Sequence, residues 1–184
     1  MTERQALSLF GHAPDGGEIH AVRIANGGTT ASFISWGASL QDFRVQGIGH
    51  SLVLGSDDPA AYFEKMRHFG AVAGPVANRI GKGRANLNGE LLEFERNERG
   101  ITTLHGGSKG SSVVNWTLDG HDGHSCRFHL QLADGVCGFP GNRTLTANYE
   151  IGDDGALTLT LEGQSDQPTF CNLAPHAYWN LDGR

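Results

Sequence analysis

RTLTANYEIGDDGALTLTLEG, residues 143 to 163, decides what kind of fold this chain makes. Leu145, Ala147, Tyr149 and Ile151 alternate with Thr144, Thr146, Asn148 and Glu150, and further on Leu157, Leu159 and Leu161 alternate with Thr158, Thr160 and Glu162. A period of two puts every second side chain on one face of an extended strand, whereas a helix needs apolar positions three and four apart. Between the two runs, Gly152-Asp153-Asp154-Gly155 supplies the Asp-Gly turn chemistry that lets a chain reverse within a few residues. The stretch predicts two paired antiparallel strands, each with one buried face.

The same period recurs on either side. SCRFHLQL (125–132) sets Cys126, Phe128, Leu130 and Leu132 against Arg127, His129 and Gln131, and RANLNGELLEF (84–94) carries an Asn-Gly turn at Asn88 and Gly89. EIHAVRIA (18–25), TASFISW (30–36) and SLQDFRV (39–45) read as three further strands bounded by Gly or Asn. One short helix is expected in DPAAYFEK (58–65), following Ser56 and Asp57. With 27 glycines among 184 residues, the chain predicts an all-β antiparallel sandwich in one domain.

Charge and composition remove several function classes. The net charge is -6 with no run of Lys or Arg, so the electrostatic footprint for nucleic acid is missing. No apolar run is long enough to cross a membrane as a helix, and MTERQALSLFG lacks the basic start and apolar run of a signal peptide, which predicts a cytoplasmic protein. Cys126, Cys137 and Cys171 are an odd count at wide spacings and read as reduced thiols. HDGHSCRFH (121–129) gathers three histidines and a cysteine. Alternation points Cys126 inward and His129 outward, with His121 and His124 in a turn, so no metal site is expected. GIGH and GKGR lack the spacing of phosphate loops and read as turns.

Two histidines stand out. His105 in TTLHGGSKG precedes a Gly-Gly pair that would let a ligand approach the backbone; the competing reading is a histidine satisfied at a strand end. In PHAYWNL (175–181), an extended chain puts His176, Tyr178 and Asn180 on one face and Trp179 on the other, a mixture of apolar platform and polar tips suited to a small molecule.

In chain order, FGAVAGPVANRIGKGRANLNGE, TTLHGG, ADGVCGFPGN and NLAPHAYWNLDG together resemble the aldose 1-epimerase (galactose mutarotase) family, from the N-terminal strands to the last residue. The resemblance implies a large antiparallel β-sandwich of the galactose mutarotase-like type that binds a free monosaccharide and interconverts its anomers without cofactor or metal. It assigns the general acid to His176 and sugar binding to Asn78, Arg79 and His105, with Tyr178 beside the acid contributing an apolar edge and a hydroxyl. Histidine's ordinary pKa near 6.5 suits a group that gives and retakes a proton. Pro75 and Val76 replace the Arg and Tyr of many members, Ala177 a Ser or Thr, and Trp179 a Phe. The family's general base, a glutamate, lies in a half expected beyond Arg184. Residues 1–184 are therefore expected to be the N-terminal part of a single, truncated sandwich domain with little activity alone and with open edges that favour self-association. Glu93, Glu95, Glu98, Asp134 and Asp182 match the base by no motif and read as solvated carboxylates. A hexose-6-phosphate mutarotase drawing on Arg79 and Arg84, or a non-catalytic carbohydrate-binding module, are the alternatives.

Overall fold

The computed structural model describes residues 7–183. In chain order the strands are β1 (Leu7–His12), β2 (Glu18–Asn26), β3 (Thr29–Ile34), β4 (Ser39–Val45), β5 (Val72–Ala73), β6 (Arg79–Ile80) and β7 (Arg84–Leu87), then β8 (Glu90–Glu93), β9 (Thr103–Leu104), β10 (Thr117–His121), β11 (Ser125–Leu132), β12 (Arg143–Ile151), β13 (Leu157–Ser165) and β14 (Ala174–Pro175). Two four-stranded antiparallel sheets, β1-β2-β3-β4 and β10-β11-β12-β13, carry the core.

The opening stretch forms the hairpin that its alternation predicts. β12 and β13 pair without interruption from Arg143↔Ser165 to Ile151↔Leu157. The reversal is closed by Gly152 N–H to Ala156 C=O (3.0 Å) and Gly155 N–H to Gly152 C=O (2.9 Å), with Gly155 at φ 78, where a side chain would strain the backbone. Leu157, Leu159 and Leu161 are only half-buried, because β13 is the edge of its sheet and pairs with β12 alone among the described strands.

The sheets stack face to face. Val22, Ile24, Ala31 and Phe33 of the first meet Phe128, Leu145, Ala147, Tyr149 and Ile151 of the second in one buried cluster. The Phe33 and Tyr149 rings lie 4.2 Å apart, and the Tyr149 hydroxyl, wholly enclosed, donates to Ala38 C=O at 2.8 Å. Each fully buried large apolar side chain contributes about 1.5–3 kcal/mol to this packing.

Three readings need correction. The expected helix is one turn of 3-10 helix, Pro59–Phe63, capped by Asp58, whose Oδ1 accepts from Ala60 N–H at 3.0 Å. Five residues are too few for an α-helix to recover its nucleation cost, and buried Tyr62 anchors the turn by accepting from Ser56 N–H at 3.0 Å. β1 and β10 are strands that the alternation did not announce; each is an edge strand with a register shift, between Leu9 and Gly11 and between Leu118 and Gly120. His121 consequently ends β10, paired with Cys126, instead of lying in a turn. Among the described residues no helix is long and apolar enough to cross a membrane.

Candidate functional site

Outside the two large sheets, the chain makes ladders two residues long, and these place the candidate residues. β5 pairs with β14, Ala73 opposite Ala174 and Val72 opposite Pro175. Beyond that ladder His176 N–H donates to Ala71 C=O (2.8 Å) and its own C=O accepts from Gly70 N–H (3.1 Å). The backbone of the predicted acid is thereby tied to residues 70 and 71.

β6 and β9 form a second ladder, Arg79 opposite Leu104, which carries Asn78 and His105 side by side at its end. His105 N–H donates to Asn78 C=O at 2.9 Å, and Asn78 N–H donates to His105 Nδ1 at 3.1 Å. Both residues take left-handed φ values, 61 for Asn78 and 49 for His105. Since Nδ1 is an acceptor, the neutral ring carries its proton on Nε2. Gly106, at φ 81, follows immediately; a Cβ there would sit 2.2 Å from Gly74 C=O, so only glycine lets LHGG pass this close to the segment leading into Asn78.

The next residue, Arg79, is gripped from its other side. Its Nε and Nη2 donate to the two oxygens of Glu98 at 2.7 and 2.6 Å, and its Nη1 donates to Asn78 Oδ1 at 3.2 Å. Thr102 Oγ1 donates to the same carboxylate at 2.7 Å. The Arg79 guanidinium and that hydroxyl hold the Glu98 carboxyl down to about 2, and Glu98 in turn raises Arg79. A bidentate grip of this kind fixes the plane of the guanidinium.

The pieces meet at the imidazoles. The rings of His105 and His176 are 5.0 Å apart, and His176 lies 5.3 Å from the Tyr178 ring, which stacks on Phe69 at 4.0 Å. His105, His176, Tyr178, Asn78 and Arg79 thus form one contiguous group in which the histidines are half-buried and Asn78, Arg79 and Tyr178 exposed. Trp179 turns its edge to Phe43, 5.8 Å away, while the Asn180 amide donates to Ser51 C=O at 3.2 Å and so ties the segment down.

A sixth member was not anticipated. His68 stands with its ring 4.9 Å from His105 and 5.9 Å from His176, and its Nδ1 is 3.0 Å from the Oγ of buried Ser112. Burial, and then its neighbours His105, Arg67 and His176, lower its pKa to about 4; burial and then His176 and Arg79 also lower that of His105. Both rings are neutral at pH 7. Glu98, expected to be a solvated carboxylate, instead closes on Arg79, and no pattern in the sequence links the two.

Glu93, Glu95 and Asp134 have structural partners. Glu93 pairs with Arg84 at 2.6 Å, Glu95 accepts from Ser108 N–H and Oγ at 2.9 Å each, and Asp134 accepts from Gly141 N–H at 2.6 Å. The HDGHSCRFH histidines are dispersed: His129 Nδ1 contacts Asp119, and His124 lies beside Asp122. Cys126 is buried in the core and its thiol is pushed up to about 12. A polar hollow of about 390 Å³ lined by Gln41, Asp42, Arg44 and Ser56 shares no residue with the imidazole group. Its charged groups already have partners, Arg44 donating to Asp42 and the Gln41 amide to Asp57.

Comparison with known proteins gives this arrangement its context. Residues 20–184 match the sequence profile of the family described as Aldose 1-epimerase. The chain is 32% identical over 175 residues to the aldose 1-epimerase of Escherichia coli, covering 93% of this chain and 50% of that protein. It is 35% identical over 181 residues to the galactose mutarotase of Bos taurus, covering 96% of this chain and 52% of the relative. Among solved structures, a galactose 1-epimerase from Lactobacillus acidophilus superposes with a TM-score of 0.83 at 25% identity, over 95% of this chain and 52% of that one. An aldose epimerase homologue from C. elegans gives 0.82 at 29% identity, over 89% and 51%. The chain spans about half the length of these relatives, and its two antiparallel sheets have the galactose mutarotase-like fold. By its sequence and its fold, the chain belongs to the aldose 1-epimerase family.

Proposed function

We propose that this chain carries the acid-bearing part of an aldose 1-epimerase site, binding a free hexose such as galactose or glucose and taking part in the interconversion of its α and β anomers. Residues 1–184 are read as one portion of a single sandwich domain. The observation that carries the proposal is the convergence of His105 and His176, rings 5.0 Å apart, on a side of the molecule where Asn78 and Arg79 adjoin His105.

His176 acts as general acid, giving a proton to the ring oxygen as the C1–O5 bond breaks, and taking it back when the ring closes on the other face of the aldehyde. Arg79, its plane set by Glu98, presents its remaining N–H protons to sugar oxygens, and the Nε2 proton of His105 does the same. Tyr178, its ring 5.3 Å from that of His176, offers the sugar a ring edge and a hydroxyl. The proton on the C1 hydroxyl leaves to a base assigned outside these 184 residues. Glu98, its pKa held down to about 2, is too weak a base for that role.

Polarimetry on freshly dissolved α-galactose tests this reading. The 184-residue chain alone is expected to exceed the buffer rate only slightly, since losing one member of an acid-base pair removes about 10²–10⁴-fold. Whatever excess remains should vanish in His176→Ala. A fast rate that survives His176→Ala would reject the assignment of the acid. The phosphate-sugar alternative is disfavoured because the two arginines it would draw on, Arg79 and Arg84, are already paired with Glu98 and Glu93. Equal catalysis on glucose and glucose 6-phosphate would restore it.

A further inference from the structure

We propose that His68 is a third sugar-binding imidazole, whose Nε2 exchanges a hydrogen bond with a hydroxyl of the bound hexose. The inference rests on the proposed sugar site and assigns a side chain that no motif marks.

Geometry carries it. The rings of His68, His105 and His176 form a triangle with sides of 4.9, 5.0 and 5.9 Å, so a hexose lying against His105 and His176 also lies against His68. The ring is anchored at one end only: Nδ1 is held by the Oγ of Ser112, a wholly buried residue. Among the described residues Nε2 has no protein partner, yet it is not among the polar atoms sealed away from solvent. An imidazole fixed at Nδ1 and open at Nε2 is arranged as a ligand of something that comes and goes.

The chemistry of the partner follows. The titratable and charged groups around the ring are His105, His176 and Arg67, and Arg79 and Glu98 lie behind His105. Burial, with His105, Arg67 and His176 close by, keeps the ring neutral, and a neutral imidazole has one donor and one acceptor nitrogen. If Nδ1 donates to Ser112 Oγ, Nε2 accepts; if Nδ1 accepts, Nε2 donates. A sugar hydroxyl can answer either, whereas a carboxylate or phosphate can answer only the second. The neutral ring therefore favours an uncharged polyol over an anionic sugar.

Galactose titrations followed by histidine ¹⁵N resonances, on the wild-type chain and three variants, decide the matter. In the wild type, the His68 Nε2 resonance should move on adding galactose together with those of His105 and His176. His68→Ala and His68→Phe should each raise the galactose Kd by about 3–10-fold, the effect of one neutral hydrogen bond. His68→Gln, which restores a donor and an acceptor, should recover part of the loss. A His68→Phe chain that binds as tightly as wild type shows that the ring merely packs, and overturns the proposal. So does an unmoved His68 nitrogen when those of His105 shift, a result that needs no variant to fold. Failure of wild-type chain to bind galactose at all would overturn the sugar-site reading itself, and this assignment with it.

Discussion

Arg79 owes its orientation to a residue outside the recognised motifs. Glu98 takes the Nε proton and one Nη2 proton and Asn78 Oδ1 takes one Nη1 proton, leaving one proton on each terminal nitrogen to meet a substrate. Glu98→Gln replaces one acceptor oxygen by an NH2 group facing the guanidinium, so the galactose Kd should rise by about tenfold, comparable to an Arg79→Lys change, while the melting temperature moves little. Titration and thermal unfolding of both variants check this. The histidines predict a pH response of definite sign. His68 and His105 bind protons more weakly in the folded chain than in the unfolded one, so as pH falls below the ordinary value of 6.5 the unfolded chain holds more protons, for His68 down to about 4. Stability should therefore fall as pH drops through that window and be flat above it. The depressed Glu98 contributes in the same direction, but only as pH falls through the carboxylate range towards about 2. Melting temperatures at pH 7 and pH 5 should differ, and the difference should shrink in His68→Phe. Equal melting temperatures at the two pH values would contradict the burial of these rings. Of the six residues that converge, five were legible, four through motifs implied by family resemblance and Tyr178 through its place beside His176. His68 sits in RHFG with no pattern around it, and only folding brings it to the others.

Ladders two residues long do the positioning, and their brevity explains why sequence reading left them out. Alternation needs four or more residues to declare itself; Val72–Ala73, Arg79–Ile80, Thr103–Leu104 and Ala174–Pro175 are each two. What the sequence does show is their punctuation, Gly74, Gly81, Gly106 and Gly107. Gly106→Ala should be among the most damaging small substitutions, because it combines a positive φ with a Cβ 2.2 Å from Gly74 C=O. A loss of about 2 kcal/mol or more is expected, with displacement of His105. Chemical denaturation gives the stability, and the His105 resonances report the displacement. Gly89→Ala is the control: it shares a positive φ of 89 but has nothing within 4 Å, so it should cost less and leave the imidazoles in place.

The long strands of the two sheets were written plainly in alternation, because each has one face sealed against the opposite sheet. Edge strands were not. β1 exposes Leu7 and Leu9, and β13 buries its leucines only by half, so for both the periodic signal and the burial it normally reports come apart. Among the described residues β13 also has an edge with no partner strand, with Thr158, Thr160 and Glu162 exposed along it, and the 184-residue chain should self-associate there. Sedimentation should show dimers or larger species that Leu159→Lys disperses; a monodisperse monomer would count against that. Across the molecule, two of the three tryptophans occupy opposite surroundings. Trp116 is 2% exposed with its indole N–H on Ser111 C=O, whereas Trp179 is 57% exposed beside Tyr178. Fluorescence should accordingly resolve into a blue component deaf to iodide and a red one that iodide quenches. The quenchable component arises at the residue that follows Tyr178, so any shift of that segment when a sugar binds becomes readable as light, with no label attached.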